Sequence, residues 1–250
     1  MEEKVFIFIS HSHQDIEKVR KIRNFLERNC SEPILFFLKS KDDEDEITSL
    51  IEDEIDARIW FIYCDSKNAR ESNWVKKELD YVYNTGKRNC TTINLDTDFD
   101  SNGYLKDHVK RKLKKELAKF LYLQNLTISY SHRDDRVVSK VRKVLTKYNI
   151  ATTIDKDMEV GINWIDGTSQ RIKKSSAVIF FLSVNSMNSL SFMMEVEEAK
   201  KNNKDVFLVG LFDGQTTYFE RQIDFMLDVS SEKSIEKGAV DLVYYLFDHI

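Results

Sequence analysis

Three groups of side chains in this sequence have types and spacings suited to chemistry. Residues 8–15, FISHSHQD, set His11, His13 and Asp15 in an H-x-H-x-D pattern, and imidazole with carboxylate suits zinc. Residues 72–82, SNWVKKELDYV, hold Ser72, Trp74 and Glu78. There the indole precedes the carboxylate by four residues, so a helix carries both on one side. The plainer alternative is a surface Glu78 beside Lys76 and Lys77, with Ser72 as an ordinary N-cap. The third group, DDEDE at 42–46, has a metal-like composition, but neighbouring carboxylates in a loop repel and stay in water.

A second near-copy decides the first case. Residues 127–135 read TISYSHRDD, which puts Ser129 under Ser10 and Tyr130 under His11 at an offset of 119. The second copy therefore lacks one imidazole, no third histidine completes a cluster, and no metal is expected. The pattern fits a strand-to-helix turn better. Ser12 and Ser131 satisfy free backbone N–H groups, and Asp15 and Asp134 favour the positive end of the following helix. Ser10 and Ser129 stand at strand ends, where they either cap the turn or line a nucleotide pocket.

The repeat extends through the chain. Val19, Ile22 and Leu26 fall over Val138, Val141 and Leu145, one apolar stripe of a helix. ARIWFIYCDS (57–66) resembles SAVIFFLSVNS (176–186), and SNWVKKELDYV meets SLSFMMEVEEA (189–199). That last match sets Ser189 under Ser72 and Glu195 under Glu78, although Glu197 and Glu198 also allow a solvated acidic face there. Two tandem domains follow, 1–122 and 123–250. In each, short apolar runs alternate with helical patterns, as in an α/β domain whose open parallel sheet is covered by helices on both faces. Strands are expected at VFIFI, ILFFL, 58–64 and 90–95, then at 126–130, 152–154, 177–182 and 206–211. Ligands of such folds sit beyond the carboxyl ends of the strands.

Composition bounds the partners. With 38 Lys+Arg against 42 Asp+Glu the net charge is -4, which gives no general attraction to nucleic acid. The basic run KRKLKKELAK (110–119) lies on a helix whose Val109, Leu113, Leu117 and Phe120 form a packed stripe, so its charges read as a solvated face. No stretch approaches the roughly 20 apolar residues of a membrane span. Cys30, Cys64 and Cys90 show no CxxC or zinc spacing, and a reduced, cytoplasmic setting is expected.

The opening strand with S-Y-S-H-x-D, the central strand ending in small polar residues, and the helix motif S-x-W-x-x-x-E together resemble the TIR (Toll/interleukin-1 receptor) domain family in its short bacterial form. Ser72, Trp74 and Glu78 match the helix motif in full; Ser189 and Glu195 match it in part, with Ser191 where Trp74 stands. DKDMEVGINW (155–164) resembles the family's BB loop, with G-x-x-W at Gly161 and Trp164, whereas KSKDDEDEITSL (39–50) has neither residue. The resemblance implies two tandem flavodoxin-like TIR domains.

It also implies an activity: cleavage of the nicotinamide–ribose bond of NAD+, by hydrolysis or cyclisation, with Glu78 and Glu195 catalytic. Ser10, Ser72, Trp74, Ser129, Ser189, Gly161 and Trp164 would then lie around the substrate. NAD+ is the substrate and no cofactor is needed. The implied setting is bacterial antiphage immunity, with self-association or pairing with other TIR or effector proteins. One copy holds the full helix motif and the other the full loop, so the halves are expected to cooperate, within a chain or between chains. The competing expectation is a non-catalytic TIR scaffold acting through assembly. A weaker one is a nucleoside deoxyribosyltransferase-like enzyme, against which the Ser-His-Asp turn argues.

Overall fold

The computed structural model describes residues 4–29, 31–35, 44–86, 89–148, 150–157, 164–213 and 223–250, with the side chains of 44–46, 156, 164 and 165 outside that description. The chain divides into two compact units, Met1–Leu121 and Tyr122–Ile250.

In the first unit the apolar run VFIFIS forms β1 (Val5–Ser10), and its neighbours are β2 (Ser31–Ile34), β3 (Trp60–Asp65) and β4 (Cys90–Asn94). All pair in parallel, in the order β2-β1-β3-β4. The connecting helices are α1 (Ile16–Glu27), α2 (Glu44–Asp56), the short α3 (Lys67–Glu71), α4 (Asn73–Asn84) and α5 (Asp107–Leu123). One sheet face stacks Phe8 on Phe61, with ring centroids 5.6 Å apart. Ile47, Ile51 and Ile55 of α2 and Val82 of α4 close over that pair. Elsewhere in the sheet, Trp60 packs against Phe120 of α5 and its indole N–H donates to Thr91 Oγ1 at 3.0 Å.

The second unit repeats the plan with β5 (Leu126–Ser129), α6 (Asp135–Lys147), β6 (Thr152–Thr153), α7 (Trp164–Lys174), β7 (Ala177–Leu182), α8 (Val184–Met187) and α9 (Leu190–Lys201). It continues with β8 (Asp205–Phe212), β9 (Phe225–Asp228) and α10 (Glu232–Asp248). Its parallel order is β6-β5-β7-β8-β9, the flavodoxin-like arrangement. In both units the chain reverses its direction of travel across the sheet between the first and third strands. Backbone diverges there beyond the carboxyl ends, and Ser10 and Ser129 end the strands that border the gap.

The expected α/β class and parallel sheets are present, with differences in detail. The second strand lies at Ser31–Ile34, earlier than ILFFL, whose residues 36–38 are outside the description. Helices α3 and α8 and strand β9 were not expected. They are short, and FMLD at the sheet edge carries no distinct alternation.

The repeated aspartates also act differently from expectation. Ser12 and Ser131 do accept from Gln14 N and Arg133 N, each at 3.4 Å. Asp15, however, makes no cap bond to its own helix and instead accepts from Ser66 Oγ at 2.5 Å and Asn68 Nδ2 at 2.8 Å. Asp134 accepts in the same way from Ser183 Oγ at 2.5 Å and Asn185 Nδ2 at 2.7 Å. A carboxylate with two specific donors gains more than one facing a helix end in water. The duplicated aspartate thus ties the turn after the first strand to the turn after the third.

Candidate functional site

Those two turns frame the candidate sites. In the first unit, Ser72 begins α4 by accepting from Val75 N, and the buried side of that helix reads Val75, Glu78, Val82. A glutamate at the centre of an apolar stripe faces the sheet, and Glu78 is 8% exposed. Its carboxyl meets the end of β1, where Ser10 Oγ donates to Glu78 Oε2 at 2.5 Å. Burial pushes the carboxyl up to about 7, and the serine hydroxyl, which favours the charged form, only partly opposes this. Glu78 is therefore not a surface residue beside Lys76 and Lys77, which lie on the exposed face of α4. The rest of the expected set is less concentrated. Ser72 serves as a cap, and Trp74 packs beside the Phe8–Phe61 cluster with Lys77 Nζ 4.6 Å above its ring.

The second unit reproduces the placement with a different electrostatic partner. Phe192, Glu195 and Ala199 form the buried side of α9, so Glu195 is not on the solvated face that carries Glu197. Arg171 of α7 donates through Nη2 to Glu195 Oε1 at 2.9 Å, with both side chains 7% exposed. Burial raises the Glu195 carboxyl and the Arg171 charge pulls it back toward ionisation. Ser129, the counterpart of Ser10, lies near enough to favour the charged form, yet its buried Oγ has no partner with hydrogen-bond geometry among the described residues. Arg171 Nε and Nη1 are likewise buried without a partner there.

A cleft of about 470 Å3 opens at this point, and Ser129, Arg171, Ser189 and Glu195 all line it. Tyr130, His132 and Asp155 form another part of its wall, where the His132 ring N–H donates to the Asp155 carboxylate. Of the other expected residues, Gly161 lies outside the described residues, and Trp164 starts α7 with its side chain outside the description.

Sequence reasoning did not find Arg171 or the bond between Ser10 and Glu78. The glutamates had a usable signal, an apolar stripe interrupted by Glu at the same place in both copies. The histidine pattern resolves into local bonding: His11 Nδ1 donates to Ile9 O at 2.9 Å, and Asp15 is taken by Ser66 and Asn68. Among the described residues no group of His, Cys, Asp and Glu is placed to hold a metal.

The copies also differ away from the two glutamates. Val184, Met187, Leu190, Met193 and Met194 are all exposed on α8 and α9, Leu190 to 76%. At the same positions α3 and α4 carry Lys67, Arg70, Asn73, Lys76 and Lys77. The second copy thus exposes apolar side chains where the first copy exposes polar and charged ones. Among the described residues no helix is long and apolar enough to cross a membrane.

A search of curated proteins returns no match. Among solved structures, the TIR domain of the Toll-related receptor TRR-2 from Hydra magnipapillata is similar at 13% identity and a TM-score of 0.39, covering 50% of this chain and 99% of its own. The trehalose repressor of Escherichia coli is similar at 8% identity and a TM-score of 0.24, covering 98% of this chain and 93% of its own. The family model of the TIR domain matches twice, over residues 7–120 and 126–241. The chain belongs to the TIR domain family and carries two of its domains in tandem.

Proposed function

We propose that the chain cleaves the nicotinamide–ribose bond of NAD+, with Glu78 as the principal catalytic carboxylate. The observation that carries this reading is the buried Glu78 held by Ser10 at the carboxyl end of β1, where the sheet opens. Breaking the C1′–N bond sends its electron pair to the nicotinamide nitrogen, which leaves neutral and needs no general acid. The ribose left behind is oxocarbenium-like. An ionised Glu78 accepts a ribose hydroxyl proton in a hydrogen bond and stabilises the positive charge, an interaction strengthened by its dry surroundings. Attack by water, which gives up a proton to solvent, yields ADP-ribose; attack by the adenine ring yields a cyclic product.

The first domain fits this chemistry better than the second. Glu78 faces a neutral hydroxyl, whereas Glu195 already faces a guanidinium that competes for its charge. The proposed setting is the cytoplasm of a bacterium defending itself against phage, with a neighbouring TIR domain's BB loop completing the Glu78 site. The test is nicotinamide release from NAD+ by the purified chain, alone and under crowding, beside Glu78→Gln.

A second reading, a TIR–TIR scaffold acting through assembly, is favoured by the exposed strip from Val184 to Met194. No nicotinamide release in either condition, together with concentration-dependent oligomers, would select it.

A further inference from the structure

The first domain carries a polar network that its copy lacks. Asp65, the half-buried last residue of β3, accepts from Tyr63 Oη at 3.1 Å, from Arg70 Nη1 of α3 at 2.6 Å and from Asn94 Nδ2 of β4 at 3.2 Å. Burial and this carboxylate push the Tyr63 hydroxyl up to about 12, so it remains a donor. Strand register sets Tyr63 beside Ser10 and, in the second domain, Phe180 beside Ser129. On the same alignment Leu182 stands for Asp65 and Met187 for Arg70, while Gly210 takes the place of Asn94 on the neighbouring strand. The side chains at those four positions cannot build such a network. The second domain nevertheless forms the same strand, short helix and longer helix, and its Asp134 tie matches that of Asp15. The fold therefore does not require the Asp65 network. What separates the domains here is the partner of the glutamate, Ser10 for Glu78 and Arg171 for Glu195.

We propose that Asp65 is a positioning residue of the Glu78 site, acting through Tyr63 on Ser10 and through Arg70 on the start of α4. Its effect on turnover rests on the reading of Glu78 as the catalytic carboxylate. Tyr63 and Ser10 project from the same sheet face, as the Phe8–Phe61 stack two residues earlier shows, and the Tyr63 ring packs with Trp74 against that cluster. A ring anchored at its hydroxyl keeps one place, and so walls in the Ser10 side chain that donates to Glu78. Arg70 lies two residues before Ser72, the cap of α4, so its ion pair with Asp65 fixes where the helix bearing Trp74 and Glu78 begins. A carboxylate with several donors holds them in one arrangement. Such precision matters for catalysis, where a misplacement of about 1 Å costs on the order of 100-fold in rate.

The test is carboxyl carbon NMR of the full chain, with the Glu78 signal assigned by its loss in Glu78→Gln, read beside nicotinamide release from NAD+. Ser10→Ala marks the signal position of a Glu78 without its hydroxyl donor. Asp65→Leu is expected to move the Glu78 signal toward that position. Asp65→Asn keeps an acceptor for Tyr63 and Arg70 but no charge, and is expected to leave the signal near its natural place. Leucine is the residue the second domain carries there, so the fold should be kept. Where Asp65→Leu fails to fold, Tyr63→Phe decides instead. That variant copies Phe180 and should give a smaller movement in the same direction. In an active chain Asp65→Leu is expected to lose about tenfold or more in kcat with KM nearly unchanged, and Asp65→Asn to recover most of it. A moved signal in a chain that releases no nicotinamide supports the positioning of Glu78 and rejects only the proposed chemistry. An unmoved signal in the deciding variant, an equal movement in Asp65→Asn, or full turnover in Asp65→Leu overturns the role.

Discussion

Ser10 Oγ donates to Glu78 Oε2 at 2.5 Å, joining the last residue of β1 to the buried side of α4 across 68 residues of sequence. The bond orients a carboxyl that burial holds near neutral pH, up to about 7. In the second domain the equivalent Ser129 also lies near the glutamate, but there Arg171 is the group paired with Glu195, at 2.9 Å.

Activity should follow the ionisation of Glu78. Only the carboxylate stabilises a cationic ribose, so kcat/KM for nicotinamide release is expected to rise with pH through about 7 and then level. The profile reports the free enzyme, before the positive nicotinamide ring of the substrate draws the carboxyl down. A profile flat between pH 5 and pH 9 would count against Glu78.

Stability should run the other way. The folded-state value of Glu78 lies above its ordinary 4.5, so the folded protein binds more protons than the unfolded chain between that value and about 7. The stabilisation is complete below about 4.5 and is lost as pH rises through about 7, an effect on the order of 3 kcal/mol. Glu78→Gln is always neutral. Its melting temperature should therefore exceed that of the natural chain at pH 8 and approach it near pH 4.

Much of this arrangement was legible in the sequence, for identifiable reasons. The repeat exposed both domains, and continuous apolar runs such as VFIFI and AVIFFL announced strands buried on two faces. Comparing the two Ser-His turns pointed to a strand-to-helix turn, and Ser12 and Ser131 do accept from backbone N–H groups there. The partners of the key groups were not legible, because they arise from long-range packing. Ser10 and Glu78 are 68 residues apart, Asp15 and Ser66 are 51 apart, and Arg171 and Glu195 are 24 apart. The position of Glu195 was obscured by Glu197 and Glu198, whose charges suggested a wet face until the stripe from Phe192 to Ala199 was placed against the sheet.

The aspartate ties should matter for folding in both domains. Asp15→Ala leaves the buried Ser66 hydroxyl without its acceptor, and Asp134→Ala leaves the half-buried Ser183 hydroxyl without its own. Each is expected to destabilise its domain by about 2–3 kcal/mol, measured by denaturant unfolding. A loss below about 0.5 kcal/mol would show that the tie is incidental.

The exposed strip should govern association. Leu190→Asn with Met193→Lys installs the residues that the first domain already tolerates at those helix positions, so the fold should be kept. Concentration-dependent oligomers, followed by light scattering, are expected to shift to monomer. Unchanged association would place the contact surface elsewhere.

The most direct measurement is the rate of nicotinamide release from NAD+ by the natural chain, Glu78→Gln and Glu195→Gln under the same assembly-promoting conditions. Catalysis centred on Glu78 predicts a loss of about 100-fold or more in Glu78→Gln, the scale of one lost electrostatic contact to the transition state. Full turnover in Glu78→Gln, with turnover abolished in Glu195→Gln, would contradict it.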